Sequence, residues 1–293
     1  MILLALLFAA APFEMALTVD DLPAHGPETL GTSRLEIAQR LLAVFAKHRV
    51  PGVYGFVNGQ KLEGHPELKA VLDAWRAAGQ PLGNHSWSHP DPNKTPLDAY
   101  LADIARNEAL LAEYGPATMW KVFRYPFLFE GDSAERRTRT AAWLVEHGYR
   151  KADVTVDFDD WAWSAPWARC AEKRDEIALG ELRHSYLDAG VRILERYRDL
   201  SRAVVGRDIR YVLLLHVGAP DADQMDALLT SYEEAGARWV TLERAQEDPI
   251  YSEDPGFVTP WGWALLDRLA KARAVKFASD WWPDEKRLDA ICR

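Results

Sequence analysis

The sequence predicts an α/β protein built on a parallel sheet, and three observations carry that prediction. Short apolar runs alternate with amphipathic stretches of helical period along most of the chain. No linker, internal repeat or low-complexity segment divides them. Polar residues suited to catalysis fall just after the apolar runs, where α/β barrels build their active sites. At 293 residues the chain can form one large domain of this class.

The elements follow in order. Residues 15–19 read as a short buried strand ending at Asp20 and Asp21. Residues 35–48 place Ile37, Leu41, Leu42 and Phe45 on one helical face, with Thr32 or Ser33 as the cap. Residues 53–57 form a second strand, and a second helix over 67–78 stops at Gly79. Pro81-Leu82-Gly83-Asn84 then leads into His85. A third helix covers 97–114, a strand edge at 122–124 ends at Pro126, and a fourth helix covers 134–147. Residues 149–156 contain another strand, ending near Asp157. Residues 179–205 are mostly helical, and the strongly apolar strand 211–215 runs into His216. A helix at 225–235 and a strand at 238–242 complete the alternation.

The two ends differ from the middle. Ile2 to Ala11 is apolar but too short to span a bilayer. It resembles the hydrophobic part of an export signal without the basic segment before it. Residues 1–13 are therefore expected to be a truncated signal peptide, and the protein periplasmic or secreted. A buried first strand or helix is the alternative, and would leave the protein cytoplasmic. The tail from residue 249 to 293 is rich in tryptophan, with Trp261, Trp263, Trp281 and Trp282. It is expected to pack over the domain, or to offer an aromatic wall to a sugar ring.

Composition narrows the partners. The net charge is −9 and no basic cluster stands out, which argues against a nucleic-acid partner. No segment reads as an integral membrane span. The two cysteines, Cys170 and Cys292, form no CxxC pair, so a thiolate zinc site and a disulfide framework are excluded. They read as incidental thiols, with a single disulfide as the alternative.

The chemistry concentrates in two motifs. Thr18-Val19-Asp20-Asp21 closes an apolar run, and His85-Ser86-Trp87-Ser88-His89 follows another. Two imidazoles at i and i+4 share a face if their segment is helical. With Asp21 they make a ligand set for a divalent metal, and a catalytic zinc takes three protein ligands and keeps one position open. Adjacent Asp20 would point differently and could take a proton from water. Arg124, if buried, would pair with a carboxylate. Asp157-Phe158-Asp159-Asp160-Trp161 packs three acids beside an aromatic, and His216 with an acid partner could serve as a general acid.

Taken together these motifs resemble the polysaccharide deacetylases of the NodB-homology type, carbohydrate esterase family four. The family's TFDDGP is matched by Thr18-Val19-Asp20-Asp21-Leu22-Pro23 and its HSxxH by His85-Ser86-Trp87-Ser88-His89. Its RxPY is matched by Arg124-Tyr125-Pro126-Phe127, its DxxDW by Asp157 to Trp161, and its LxLH by Leu213-Leu214-Leu215-His216. The match spans about residues 15–245, so 14–248 is expected to be the catalytic domain. The resemblance implies a distorted (β/α) barrel with fewer than eight units. It implies that Asp21, His85 and His89 hold a divalent metal, zinc above all. Asp20 would be the general base, oriented by Arg124, and His216 the acid for the leaving amine, tuned by Asp160. The backbone N–H of Phe127 would face the oxyanion, with Tyr125 and Trp161 also on the substrate side. The implied reaction removes N-acetyl groups from GlcNAc-type units of an N-acetylated glycan, releasing acetate. Leu22 replaces the family's glycine, Val217 stands where an aspartate is common, and Tyr125 and Phe127 vary the third motif. These departures leave open another amide or O-acetyl ester as substrate, or a glycan-binding module without turnover.

Overall fold

The computed structural model describes residues 11–277 and 283–293. The signal-peptide reading therefore falls mostly outside the described residues, as do Trp281 and Trp282. Among the described residues, seven strands form one sheet: β1 (Phe13–Leu22), β2 (Tyr54–Val57), β3 (Leu82–Asn84), β4 (Val122–Phe123), β5 (Arg150–Lys151), β6 (Tyr211–His216) and β7 (Ala237–Trp239). The order is β5-β4-β3-β2-β1-β6, with β7 also paired to β1. Every pairing is parallel.

Strand alternation sorts the apolar residues into two cores. Met15, Leu17 and Val19 of β1 pack outward with helix residues such as Phe45 and Trp75. Ala16 packs with Phe56, Val122, Ala152 and Val212 in a smaller inner cluster. Burial on both faces is what a parallel sheet covered by helices requires. The chain after β5 closes the ring: Val156 bridges Leu213 in parallel, and Leu214 N–H donates to the Val156 carbonyl at 3.0 Å. The result is the expected distorted (β/α) barrel with fewer than eight units.

Three elements depart from expectation. The strand at 149–156 shrinks to two residues plus the bridge, because its backbone is shared with the tail: Leu265 N–H donates to the Val154 carbonyl at 2.7 Å. The helix at 97–114 breaks at buried Asn107, whose amide donates to the Val57 carbonyl at 2.7 Å and to Asn84 Oδ1 at 3.0 Å. The helix before β7 begins early, at Ala219, with Pro220 in its first turn, where a missing N–H costs nothing. Ser33 rather than Thr32 caps the first helix. Among the described residues no helix is long and apolar enough to cross a membrane.

The tail is part of the core. Leu265, Leu266, Leu269 and Ala270 of the helix Leu265–Ala272 are buried. Arg268 on that helix reaches Glu130 at 2.6 Å and Asp153 at 2.9 Å. The cysteines are not incidental thiols. Cys170 and Cys292, 122 positions apart in sequence, form a disulfide with their Cα atoms 5.3 Å apart. Packing of the last helix on Ser164–Lys173 brings them together, and separation along the chain hides it. Closing a loop of this size contributes roughly 4–5 kcal/mol by the chain-entropy model.

Burial pushes the Glu130 carboxyl up, but Arg268, Lys151 and Arg137 outweigh it and hold it well below the usual range. A depressed folded-state value stabilises the fold above the unfolded value of about 4.3 and is lost as the pH falls below it. Melting temperature is therefore expected to hold down to about pH 5 and then drop, more steeply than in Glu130→Gln. Parallel acid profiles for the two proteins would reject this cluster as the source.

Candidate active site

In a regular strand Asp20 and Asp21 would point to opposite faces. Here the register of β1 against β2 shifts between Val19 and Leu22, and Asp21 has a left-handed φ of 70°. The irregularity turns both carboxylates toward one imidazole. His85 Nε2 lies 3.6 Å from Asp20 Oδ2 and 3.9 Å from Asp21 Oδ1. His89 Nε2 lies 3.7 Å from the same Asp21 oxygen.

The histidines do not sit on a helix, as i, i+4 spacing allowed. They follow β3 in a loop with Ser86 at φ 64° and His89 at φ 54°. Side chains lock that loop: Asn84 Oδ1 accepts Ser86 N–H at 2.8 Å, Ser86 Oγ accepts His89 N–H at 3.2 Å, and Asp103 accepts Ser88 N–H at 3.0 Å. Positive φ at side-chain-bearing residues costs about 1–3 kcal/mol each and gathers at functional sites. Asp21, Ser86, His89, Phe127 and Asp159 all carry it here.

His85 Nδ1 is 2.9 Å from the Arg124 carbonyl, which only accepts, so Nδ1 carries the proton and Nε2 keeps its lone pair. Burial, with His89 alongside, holds His85 well below its ordinary pKa, and burial brings His89 down to about 4. Both rings are neutral donors at pH 7. Burial would raise Asp21, but Lys61 and His25 outweigh it and hold it well below the carboxylate range. Asp21 Oδ1 is buried and without a hydrogen bond. Lys61 Nζ is 3.2 Å from it but directs its hydrogen bond to the Asp21 carbonyl. Two neutral imidazole nitrogens and an ionised oxygen, all within 4.8 Å of one another, fit a divalent cation. Ligands 2.0–2.1 Å from a tetrahedral ion lie about 3.3 Å apart, so the observed spacings need only slight contraction.

Asp20 shares the inward face of β1 with Ala16 and Thr18 and is 2 % exposed. Arg124 follows β4 and donates from one nitrogen to both Asp20 oxygens at 3.2 Å. Its other donors reach Thr18 Oγ1 at 3.0 Å and the Ala152 carbonyl at 2.8 Å, while its guanidinium lies over the Phe56 ring. Burial lifts Asp20 to about 6, against the pull of Arg124 and His216.

Across the site Asp160 grips His216 twice. Asp160 Oδ1 is 2.7 Å from Nδ1, and Oδ2 accepts the backbone N–H at 2.6 Å. Burial lifts Asp160 to about 7 and Asp221 far above the carboxylate range. Tyr186 donates to Asp221 Oδ1 at 2.6 Å, so a neutral Asp221 stands behind Asp160. Trp161 is exposed beside this pair, and Phe127 is exposed with its ring 4.4 Å from that of His89. Tyr125, expected on the substrate side, is instead buried, its ring 5.0 Å from Phe123. The turn through Pro126 sends its side chain into the core and only Phe127 outward.

Sequence reasoning missed His25, Lys61 and the Asp221–Tyr186 pair. His25 Nδ1 is 2.7 Å from Asp21 Oδ2, and its ring lies 4.5 Å from that of His216. Its position four residues after Asp21 was the one available signal. Lys61 and Tyr186 carry none.

Residues 10–150 match the family model described as polysaccharide deacetylase. This segment is similar to a polysaccharide deacetylase domain. The chain is 30 % identical over 152 residues to a peptidoglycan-N-acetylglucosamine deacetylase of Bacillus cereus, covering 50 % of this chain and 46 % of that protein. It thus spans about half the length of the curated relative it matches. The deacetylase fold also recurs in solved structures. A chitin deacetylase from Colletotrichum lindemuthianum aligns with a TM-score of 0.52 and 20 % identity, over 81 % of this chain and 88 % of that one. The peptidoglycan deacetylase PdaC from Bacillus subtilis aligns with a TM-score of 0.52 and 21 % identity, over 80 % and 91 %. A pseudoenzyme of carbohydrate esterase family four from Bacillus anthracis aligns with a TM-score of 0.52 and 17 % identity, over 80 % and 65 %.

Proposed function

We propose that this protein is a metal-dependent hydrolase that removes N-acetyl groups from GlcNAc-type units of a glycan, releasing acetate. The observation that carries the reading is the convergence of a cation-ligand set, a buried carboxylate held by arginine, and a carboxylate-held histidine at the ends of β1, β3, β4 and β6. Amide hydrolysis needs these three parts: an activated water, charge stabilisation and an acid for nitrogen.

Asp21, His85 and His89 would hold the ion, and the two-nitrogen, one-oxygen set favours zinc. The ion would supply Lewis-acid polarisation of the acetyl carbonyl. Asp20 takes the proton of the attacking water on its carboxylate. Arg124 keeps that carboxylate oriented through three further anchors in the barrel wall. The Phe127 N–H, presented by a left-handed turn, donates to the developing oxyanion. His216 Nε2 gives its proton to the departing amine while Asp160 fixes the ring through Nδ1. Trp161 and the Phe127 ring form the groove, and buried Tyr125 supports the turn. Residues 14–248 then act as the catalytic unit, with the helix Leu265–Ala272 completing its core. The Cys170–Cys292 bond favours an oxidising compartment, in keeping with a periplasmic or secreted enzyme.

Acetate release from chitin oligosaccharides and N-acetylated peptidoglycan tests the reading, with protein stripped of metal and reloaded with zinc. Zinc-dependent release is expected. Release from acetyl esters alone would move the assignment to an esterase, and zinc binding with no release from any of them would overturn it.

His25 donates to Asp21 Oδ2 and leaves Oδ1 to the ion. Outer hydrogen bonds of this kind are worth roughly 10–100-fold in metal affinity. His25→Ala is expected to lose that much in a chelator competition for zinc. Unchanged affinity would make His25 a packing partner of His216 only.

A further inference from the structure

Among the described residues the exposed Phe, Tyr and Trp side chains are Phe127, Trp161 and Trp261, at 50, 40 and 65 %. Isolated exposed apolar residues are ordinary and need no explanation. These three are not scattered. Phe127 touches His89, Trp161 adjoins Asp160, and Trp261 belongs to a tail segment built against Phe127. That segment is held from several sides. A Cβ on Gly262 would fall 1.6 Å from the Phe127 carbonyl oxygen, so only glycine permits the approach. Asn93, in the loop after His89, donates to the Pro260 carbonyl at 3.1 Å, and Thr259 Oγ1 accepts the Trp261 N–H at 3.1 Å. Trp263 stacks on Phe257, with ring centres 5.5 Å apart. Anchors on both flanks thus fix the Trp261 backbone beside the Phe127 turn, on the metal-ligand side, and leave its indole exposed.

We propose that Trp261 is a sugar-stacking platform, an added subsite that binds a neighbouring hexose of a β-linked N-acetylated oligosaccharide on the Phe127 side. The proposal rests on the deacetylase reading and names the chain length it prefers. The axial C–H face of a β-linked pyranose is apolar and flat, and an indole face matches it in area. Trp161 on the acid side and Trp261 on the metal side then grip the chain at two points, with the reacting unit between them. A single stacked ring of this kind changes affinity by roughly tenfold.

Calorimetric titration with GlcNAc oligomers of two to six units tests this. The zinc-loaded full chain carries Asp20→Asn so that the ligand stays acetylated, and is compared with the same protein bearing Trp261→Ala or Trp261→Phe. Affinity is expected to rise with length in the parent. The alanine variant should lose about tenfold on the longer oligomers with little change on the shortest, and phenylalanine should restore most of it. An equal length dependence in parent and alanine variant overturns the subsite, as does no binding of any oligomer. Trp261-dependent binding beside wild-type protein that releases no acetate would keep the subsite and sink the deacetylase reading instead.

Discussion

Asp20→Asn is expected to reduce acetate release by roughly 10²–10⁴-fold in kcat, the usual contribution of a positioned general base. The substitution is isosteric, so Thr18, Ala152 and Phe56 still hold Arg124 in place. The amide cannot take a proton from water, and Arg124 loses the anion it faces. KM should change little, because Asp20 is buried beneath the groove rather than lining it. Zinc content should persist, since Asp21, His85 and His89 are untouched. Some stability is lost with the buried ion pair, and a melting curve separates that from the catalytic effect. Near-normal kcat with full zinc occupancy would remove Asp20 from the role of base.

Asp160→Asn should cost a similar factor, for a different reason. Both Asp160 oxygens accept from His216, one from the ring and one from the backbone. Asparagine has one acceptor and one donor, so either the backbone N–H or the ring Nδ1–H must face another donor. The ring then turns or adopts the other tautomer, and Nε2 no longer presents its proton. The comparable change in serine proteases costs about 10⁴ in kcat. Because the defect lies in protonating the leaving group, an activated aryl acetate should suffer far less than an N-acetyl amide. Equal losses on both substrates would show that Asp160 acts on the fold instead.

How much of this was legible in the sequence depended on range. The strand ending at Asp20 and Asp21, the helix with Ile37, Leu41 and Phe45, and the apolar run into His216 were readable because period and burial agree locally. Asp20, Asp21, His85, Arg124 and His216 were readable because each lies at the C-terminal end of a strand or just after it. The break at Asn107 was not, since the amide is recruited by Val57 and Asn84 from other elements. Nor was the burial of Tyr125 against Phe123, a contact between alternate residues that the sequence pattern does not mark. His25 looked like loop polarity until the chain brought it onto Asp21. The Cys170–Cys292 bond and the Arg268 cluster join segments more than a hundred residues apart, and no local pattern records such contacts.

β1 is paired to β2, β6 and β7, whereas β3 and β4 have three and two residues. Freeing the amides of Met15 to Asp20 means parting the sheet at its middle, which amounts to global unfolding. The segments bearing His85, His89 and Phe127 hang from short strands and can open at lower cost. In hydrogen exchange the two halves of the centre should therefore behave as separate cooperative units, a slow carboxylate half and a faster imidazole half. An ion shared by Asp21 and the two histidines would couple them, and its arrival should be read most clearly as slowed exchange in the loop after β3.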